Sequence, residues 1–156
     1  QSVGKRAKEL ELPLEDCPLE ASTLAMAKRG QTVSATDYVD ARNCLIMAEQ
    51  QLQDFYQRYD IIIQPVLSKI PAKLGWLNMD SKDLKEYGSR FTAYGGFTAL
   101  ANGTGQPSMS VPMHLAKSNL PIGALFTAAW GDDATLLQLA TQLENAAPWQ
   151  LLADGI

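Results

Sequence analysis

The sequence predicts a mixed α/β fold in which helices pack on short strands. A helix-period apolar stripe extends from residue 38 to 59, three isoleucines follow it, and two short apolar segments precede a capped final helix. A chain of 156 residues, 46% of them hydrophobic, is long enough for one domain over residues 1–156. Residues 1–19 are polar and contain Pro13 and Pro18, so they are interpreted as a peripheral arm.

Two helices are expected before residue 60. A short one runs from Leu19 to Lys28 and is stopped by Gly30. Ser34 is a hydroxyl N-cap with an acidic residue three positions later, which predicts a longer helix to about Arg58. The residues of its apolar stripe are Tyr38, Ala41, Leu45, Ala48, Leu52, Phe55 and Tyr59. This stripe suits packing on a sheet or a helix; the alternative is a coiled-coil dimer, although the pattern lasts only roughly three heptads.

The middle of the chain predicts a strand, a loop and a helix. Ile61–Ile63, bounded by Pro65, are typical of a short strand buried on both faces, as in α/β sheets. Residues 66–80 predict a long loop. Ser81 is the expected N-cap of a helix that reaches Ala93.

The segment after residue 96 predicts a helical turn and a β-hairpin. One or two helical turns are expected from Phe97 to Asn102, ended by Gly103 and Gly105. Strands are expected at Ser108–Val111 and Gly123–Ala128. The spacing allows these strands to form a hairpin with a long loop.

The last part of the chain predicts the hairpin loop and a closing helix. Turn-forming residues at 117–121 connect the two strands. Asp132 caps a helix from Asp133 to about Ala146, and Pro148 stops it. Its inner side is predicted to carry Leu136, Leu139, Ala140, Leu143 and Ala147.

Composition argues against several classes of partner. The formal net charge is −4, and the basic cluster in the first ten residues is soon offset by acidic ones, so no nucleic-acid partner is expected. No apolar run approaches the roughly 20 residues that cross a bilayer, so no membrane partner is expected. The chain begins at Gln1 without a Met or a signal-like apolar stretch, which suggests a processed or truncated chain. Cys17 and Cys44 form no CxxC pair and are expected to be reduced and buried, which favours the cytoplasm.

The residues of familiar catalytic sites are not assembled in this sequence. A Ser-His or Cys-His hydrolase needs an imidazole, and the single histidine, His114, is interpreted as a surface or partly packed residue. A zinc site from Cys17, Cys44 and His114 lacks paired ligand spacing. Neither a phosphate-binding loop nor a Gly/Ser-rich strand-to-helix turn is found. No catalytic residue, metal ligand or cofactor is therefore predicted.

An ordered set of motifs changes this interpretation. The segments are Ser34–Tyr38, Tyr59–Pro65, Phe97–Pro112, Leu120–Gly123, Trp130–Leu137 and Ala147–Trp149. Over roughly residues 20–150, in order and spacing, they resemble the C-terminal part of the amidase signature family, and they look more like its general amidases. The resemblance implies the C-terminal part of a mixed-sheet fold. It also implies amide hydrolysis by a Ser–cis-Ser–Lys triad, which the family carries in a Gly/Ser-rich signature that is not found here.

The resemblance therefore implies a fragment of an amidase. We expect it to supply scaffold and part of a substrate pocket, to be inactive alone, and to have as partners the missing N-terminal part of the same polypeptide and a small-molecule amide substrate. The alternative is a stand-alone, non-catalytic module that binds a ligand or a partner. An initiator Met just before Gln1 favours this alternative, and a longer upstream reading frame favours the fragment.

The resemblance also implies candidate substrate-binding residues. They are Gln64, Phe97, Asn102 and Gln106, and a structural role for each is the competing interpretation. Gln64 stands where the family commonly has Thr. Asn102 is able to bond backbone amides in the turn that follows it. A sheet cut from a larger one leaves an open edge at Ile61–Ile63 and Met109–Val111, which predicts self-association or binding of the missing part.

Overall fold

The computed structural model describes residues 2–117 and 120–149, and it confirms the mixed α/β fold. The predicted turn residues Ser118 and Asn119 lie outside this range. The elements, in chain order, are α1 (Ser2–Glu9), a 3₁₀ turn (Leu14–Asp16), α2 (Ala21–Gly30), α3 (Ala35–Tyr56), β1 (Ile61–Pro65), α4 (Leu84–Gly95), α5 (Ala99–Thr104), β2 (Ser108–Leu115), β3 (Pro121–Ala128) and α6 (Asp133–Ala146).

The described residues divide into two compact units. The first contains the residues up to 43 together with 71–93, and the second contains 44–70 together with the described residues from 94 onward. Within the first unit, the loop before α4 satisfies the free backbone amides at the start of α2. The carboxylate of Asp80 accepts a hydrogen bond from the Ala21 amide at 3.1 Å, and the Met79 carbonyl accepts one from Ser22 at 2.9 Å.

Helix α3 begins with the predicted capping box. The Ser34 hydroxyl accepts a hydrogen bond from the Asp37 amide at 3.1 Å, and the Asp37 carboxylate accepts from the Ser34 amide and hydroxyl at 3.2 and 2.7 Å. The bonds from Ser34 lower the pKa of Asp37. The helix ends at Tyr56, two residues before the predicted end. None of its 22 residues is buried, so its apolar stripe is left largely exposed.

Helix α4 starts later than predicted and has a different cap. The Asp83 carboxylate, rather than the Ser81 hydroxyl, accepts a hydrogen bond from the Glu86 amide at 2.8 Å. Asp83 directly precedes Leu84, where the helix begins, so its side chain is the one that reaches the orphan amides of the first turn. Ser81 instead accepts from the Asp83 amide at 3.2 Å and shapes the entry to the helix.

The second unit is built on a three-stranded antiparallel sheet with the order β1-β3-β2. The hairpin of β2 and β3 is confirmed, with Met109 opposite Phe126 and Val111 opposite Ala124. Helix α6 covers one face of this hairpin, and the buried residues there are Val111, Phe126, Ala128 and Leu136. Asp132 caps α6 as predicted, accepting from the Thr135 amide at 3.3 Å. On the predicted inner side of α6, Leu139 and Leu143 pack against this core, whereas Ala147 is exposed.

Strand β1 contradicts the prediction of a strand buried on both faces. It pairs only with β3 within the described residues, so it forms an edge of the sheet. Ile61 packs against the core, but Ile63, two residues on and opposite Phe126, is 65% exposed. The prediction was wrong because an apolar run indicates only that burial would stabilise the strand. Within the described residues, β1 packs against the core only at the Ile61 end.

Helix α5 corrects the role of one of two glycines. Gly105 ends the helix in the left-handed conformation, with φ of 78° and its amide bonded to the Ala101 carbonyl at 2.8 Å. Gly103 does not end the helix but lies inside it. A Cβ at Gly103 would come within 2.9 Å of Leu45 Cδ2, so this glycine permits the close approach of α5 to α3.

Two further sequence expectations are resolved by the structure. Cys17 and Cys44 are free, but Cys17 is only half-buried and Cys44 is exposed, so the prediction of buried cysteines was wrong. Cys44 lies on α3, which has no buried residue. Across the described ranges, no helix combines the length and apolar character needed to cross a membrane.

Candidate functional site

The four predicted substrate-binding residues occupy three places in the second unit. Gln64 lies on β1 opposite Leu125 and is half-buried. Phe97 lies in the turn before α5 and is also half-buried, whereas Asn102 lies within α5 and is exposed. Gln106 follows Gly105, in the turn from α5 into β2, and is buried. No hydrogen bond joins any two of the four in the described part of the chain.

Five polar side chains meet around the turn from α5 into β2, and we name this group the turn cluster. Its members are Tyr56, Thr104, Gln106, Ser108 and Thr127. The Thr104 hydroxyl lies 3.1 Å from Gln106 Oε1, and the hydroxyls of Ser108 and Thr127 lie 2.9 Å apart. The Tyr56 hydroxyl, at the end of α3, donates to the Thr127 carbonyl at 3.2 Å. Tyr56 and Ser108 thus join α3 and β2 to Thr127 of β3, whereas Thr104 and Gln106 pair with each other at the end of α5.

The backbone around the turn cluster is fixed as well. The Pro107 carbonyl accepts a hydrogen bond from the Ala128 amide at 3.1 Å, which fastens the turn to the end of β3. A Cβ at Gly105 would lie 3.4 Å from the indole nitrogen of Trp130, so the Trp130 ring packs close to the left-handed residue. The segment from Asn102 to Pro107 is consequently fastened to β3 at Pro107, and it lies close to Leu45 of α3 at Gly103.

Electrostatics single out Tyr56 within the turn cluster. Burial raises the pKa of Tyr56, and the side chain of Gln106 opposes that rise. Gln106 itself is only 6% exposed, and its amide nitrogen has no partner within hydrogen-bond distance in the described part of the chain.

Sequence reasoning named Gln106 as a candidate but did not name the other residues of the turn cluster. Tyr56 follows Leu52 by four positions and so lies on the same helical face, although it was not assigned to the stripe. Ser108 and Thr127 are opposite each other in the β2–β3 register, which only the pairing reveals. Asn102, predicted to bond turn amides, instead projects from the middle of α5, with no hydrogen bond from its side chain among the described residues.

The described residues form no assembled nucleophile and base. No lysine side chain in the part of the chain that the structure describes hydrogen-bonds to a serine. His114 lies exposed in β2. Over the same ranges, no group of three or more His, Cys, Asp and Glu side chains is placed to hold a metal ion. Two grooves in the first unit, about 660 and 470 Å³, are lined by residues between 3 and 31 and include none of the four candidates.

Comparisons with known proteins converge on one class of enzyme. A family model described as Amidase matches residues 8–137. The chain is 29% identical to the lipoamidase of Enterococcus faecalis, covering 88% of this chain and 22% of that protein. It is also 29% identical to the 6-aminohexanoate-cyclic-dimer hydrolase of Paenarthrobacter ureafaciens, covering 96% of this chain and 31% of that protein.

A solved structure extends this similarity to three dimensions. The structure of a 6-aminohexanoate cyclic dimer hydrolase superposes with a TM-score of 0.82 at 27% sequence identity, covering 94% of this chain and 32% of that chain. Nearly all of this chain therefore has a counterpart there. The chain spans between about one fifth and one third of the length of these relatives.

Proposed function

Because the chain belongs to the amidase family, we propose that it is the C-terminal scaffold of an enzyme that hydrolyses a carbon–nitrogen amide bond. In this proposal the chain supplies one wall of the substrate pocket, and the remaining part of the polypeptide supplies the catalytic triad. The observation that carries the proposal is the superposition on 32% of a solved amide hydrolase with a TM-score of 0.82.

The proposed assignment of a pocket wall to this chain and of the triad to the rest of the polypeptide follows from the chemistry of amide cleavage. An acyl-transfer site needs an activated nucleophile, a base that takes its proton, and donors for the oxyanion. The family resemblance assigns these roles to a Ser–cis-Ser–Lys triad and to backbone amides in a Gly/Ser-rich segment. The described residues offer no serine bonded to a lysine, so we expect the chain alone to be inactive. A small-molecule amide is the proposed substrate.

The proposed contribution to the pocket comes from β1 and from the residues around α5. Gln64 is half-buried near the end of an edge strand and carries an amide that both donates and accepts hydrogen bonds. Phe97 adds an apolar surface and Asn102 an exposed amide, while Gln106 supports the turn that follows. Gln64 stands where the family commonly has Thr, and we expect this difference to have the largest effect on which amide substrate is preferred.

The proposed partner is the rest of the same polypeptide. Within the described residues, the buried hydrophobic core is small, and large apolar side chains of α3, of β1 and of the segment between them are exposed, among them Tyr38, Leu45, Tyr59 and Ile63. An exposed strand edge and exposed apolar side chains each favour docking of another segment or of a second copy. The two free cysteines favour a reducing compartment, so a cytoplasmic location is part of the proposal.

A split-enzyme experiment tests the proposed function. The 6-aminohexanoate-cyclic-dimer hydrolase is produced without the segment that this chain matches, and hydrolysis of its cyclic amide is followed by amine release. We expect no turnover from this remainder alone, none from residues 1–156 alone, and measurable turnover when the two are combined. The hydrolase's own excised segment, added in parallel, is the positive control.

Two outcomes would contradict the proposal. The first is restoration by the hydrolase's own segment while this chain neither binds the remainder nor restores turnover, which would favour a stand-alone binding module. The second is amide hydrolysis by residues 1–156 alone that disappears on changing a single serine of this chain. That result would place the nucleophile here.

A further inference from the structure

The grooves lined by residues 3–31 share part of their surface. Gly4, Leu14 and Gln31 line both of them. The larger groove, about 660 Å³, has the volume of a small-molecule site, for which roughly 300–1,000 Å³ is usual. Its remaining lining residues are Lys5, Ala7, Lys8 and Leu12. The larger groove is therefore apolar apart from one glutamine and two lysines, and none of the described residues that line it is acidic.

A glycine keeps the larger groove open. Gly4 lies within α1, where glycine is less favourable than alanine. A Cβ at Gly4 would meet no atom within 4 Å, so packing among the described residues does not require the absence of a side chain here. The space beside Gly4 belongs to both grooves. A ligand in the groove would account for a glycine at this position.

The end of α1 brings a leucine into the same groove at a conformational cost. Glu11 has a φ of 55°, in the left-handed region that residues other than glycine rarely adopt. The turn allows the Leu12 amide to donate to the Ala7 carbonyl at 3.0 Å, and Leu12 then lines the larger groove. Backbone strain of this kind is concentrated at ligand sites and other functional positions.

Two lysines supply the charge of the larger groove. Lys5 and Lys8 are three positions apart on α1, so their side chains lie on the same face of the helix. Lys8 makes no ion pair with any described residue, and the pair of Lys5 with Glu9 is long, at 4.0 Å, and exposed. Two ammonium groups beside an apolar floor are complementary to a ligand in which an alkyl chain carries one anionic group.

We propose that the larger groove binds an alkyl carboxylate such as a free fatty acid. The alkyl chain lies on Ala7, Leu12 and Leu14, and the carboxylate lies within reach of Lys5 and Lys8. The volume of the groove favours a small molecule over a polypeptide segment, and the two lysines favour an anion over a neutral amphiphile. None of the four candidate pocket residues lines this groove, so the proposed binding does not rest on the proposed function.

Titration of the ¹⁵N-labelled chain with decanoate, below the concentration at which it forms micelles, tests the proposal. We expect the backbone amide signal of Gly4, which lines the groove, to shift, while that of Gly88 in α4 stays in place. Affinity should rise from octanoate to decanoate by up to about fourfold for each added methylene. Decanol has the same chain without the charge and should bind more weakly than decanoate.

A variant that fills the groove tests its location. Gly4→Leu adds a side chain whose Cβ meets no atom within 4 Å, so the chain is expected to stay folded while the groove is occupied. Decanoate binding should weaken by roughly tenfold or more, since the alkyl chain loses its buried surface. Gly88→Leu is the matched control, because a Cβ there also meets nothing and Gly88 lines neither groove. It should leave binding unchanged.

A second variant tests the role of charge. Lys5→Gln combined with Lys8→Gln should weaken decanoate binding by roughly threefold to tenfold and leave decanol binding unchanged. Lys28→Gln combined with Lys85→Gln removes the same charge from exposed lysines that do not line the groove, and it should leave both ligands unaffected.

Three outcomes would overturn the proposal. The first is decanoate binding that is as tight in Gly4→Leu as in the parent chain, or that leaves the Gly4 signal in place. The second is an equal loss of decanoate and decanol binding in the variant of Lys5 and Lys8. The third is displacement of decanoate by the remainder of the split hydrolase, which would assign the groove to the rest of the polypeptide. Decanoate binding by a chain that restores no turnover would refute the proposed function alone.

Discussion

The β2–β3–α6 region and the α3–β1 region are both apolar in sequence, yet only the first is buried. Val111, Phe126 and Leu136 lie in a closed core, whereas α3 has no buried residue and Ile63 is largely exposed. The difference lies in what covers each surface. Helix α6 lies directly after β3 and folds back on it, whereas no described element covers the whole of β1. An apolar pattern thus indicates a surface that burial would stabilise, but it does not identify which chain buries that surface.

The sharpest test of this contrast compares two adjacent leucines of α6. Leu136 is 4% exposed in the core and Leu137 is 68% exposed. We expect Leu136→Ala to lower the free energy of unfolding by about 2–5 kcal/mol, because a buried leucine is lost and a cavity remains. Leu137→Ala should change it by less than about 0.5 kcal/mol. Urea unfolding followed by circular dichroism measures both.

Equal losses of unfolding free energy in Leu136→Ala and Leu137→Ala would contradict the contrast between the buried and the exposed region. Such a result would mean that Leu137 is buried in solution, by a second copy of the chain or by a rearranged α6. Repeating the unfolding at several protein concentrations distinguishes the two, since only burial by a second copy makes stability depend on concentration.

A glycine in β3 tests how tightly the sheet is packed where β1 ends. A Cβ at Gly123 would come within 2.9 Å of Val66 Cγ2 and 3.0 Å of Ser110 Oγ. Gly123→Ala should therefore cost about 1–3 kcal/mol of unfolding free energy through overpacking. Gly88→Ala is the matched control. Gly88 lies inside α4 with nothing within 4 Å of the added atom, so that change should stabilise the chain by up to about 1 kcal/mol.

The sign of the effect decides this second test. Stabilisation in Gly123→Ala would show that the end of β1 is loosely packed in solution and that Val66 moves away without cost. The contrast between the two regions would then extend through the whole of β1 rather than beginning at Ile63.

Local chemistry explains why most elements were predictable from the sequence. The capping box at Ser34 and the cap at Asp132 were predicted correctly, because each depends on residues within one helical turn. The hairpin was predictable for a similar reason, since apolar segments and turn residues are adjacent in sequence. Asp83 displaced Ser81 as a cap because two suitable residues stood within one turn, and propensity alone does not choose between them.

Burial and the environment of the site were less predictable, because both depend on distant parts of the chain. The isoleucine run gave the strand but not its place at the edge of the sheet. The family resemblance named Gln106 as a candidate, but its burial beside Thr104 depends on tertiary packing that local sequence does not reveal. Gly103 was likewise predicted to end a helix. The structure instead shows that it allows Leu45 to lie close to α5.

The smallest effect on unfolding, and the most direct test of the exposed region, is expected at Ile63. If the β1 edge is an interface, residues 1–156 self-associate at high concentration, and Ile63→Lys weakens that association by roughly tenfold or more, since it removes a large apolar side chain and adds a charge to the edge. The same change should alter the unfolding free energy of the monomer by less than about 0.5 kcal/mol, because the side chain is mostly in water. Met26→Lys, at an exposed methionine of α2, adds the same charge to a residue that is not part of the sheet and should leave association unchanged. Sedimentation velocity over a range of concentrations measures both variants.

A parent chain that remains monomeric throughout would show that the exposed stripe and strand edge do not pair with another copy, and the rest of the polypeptide would remain as the proposed occupant.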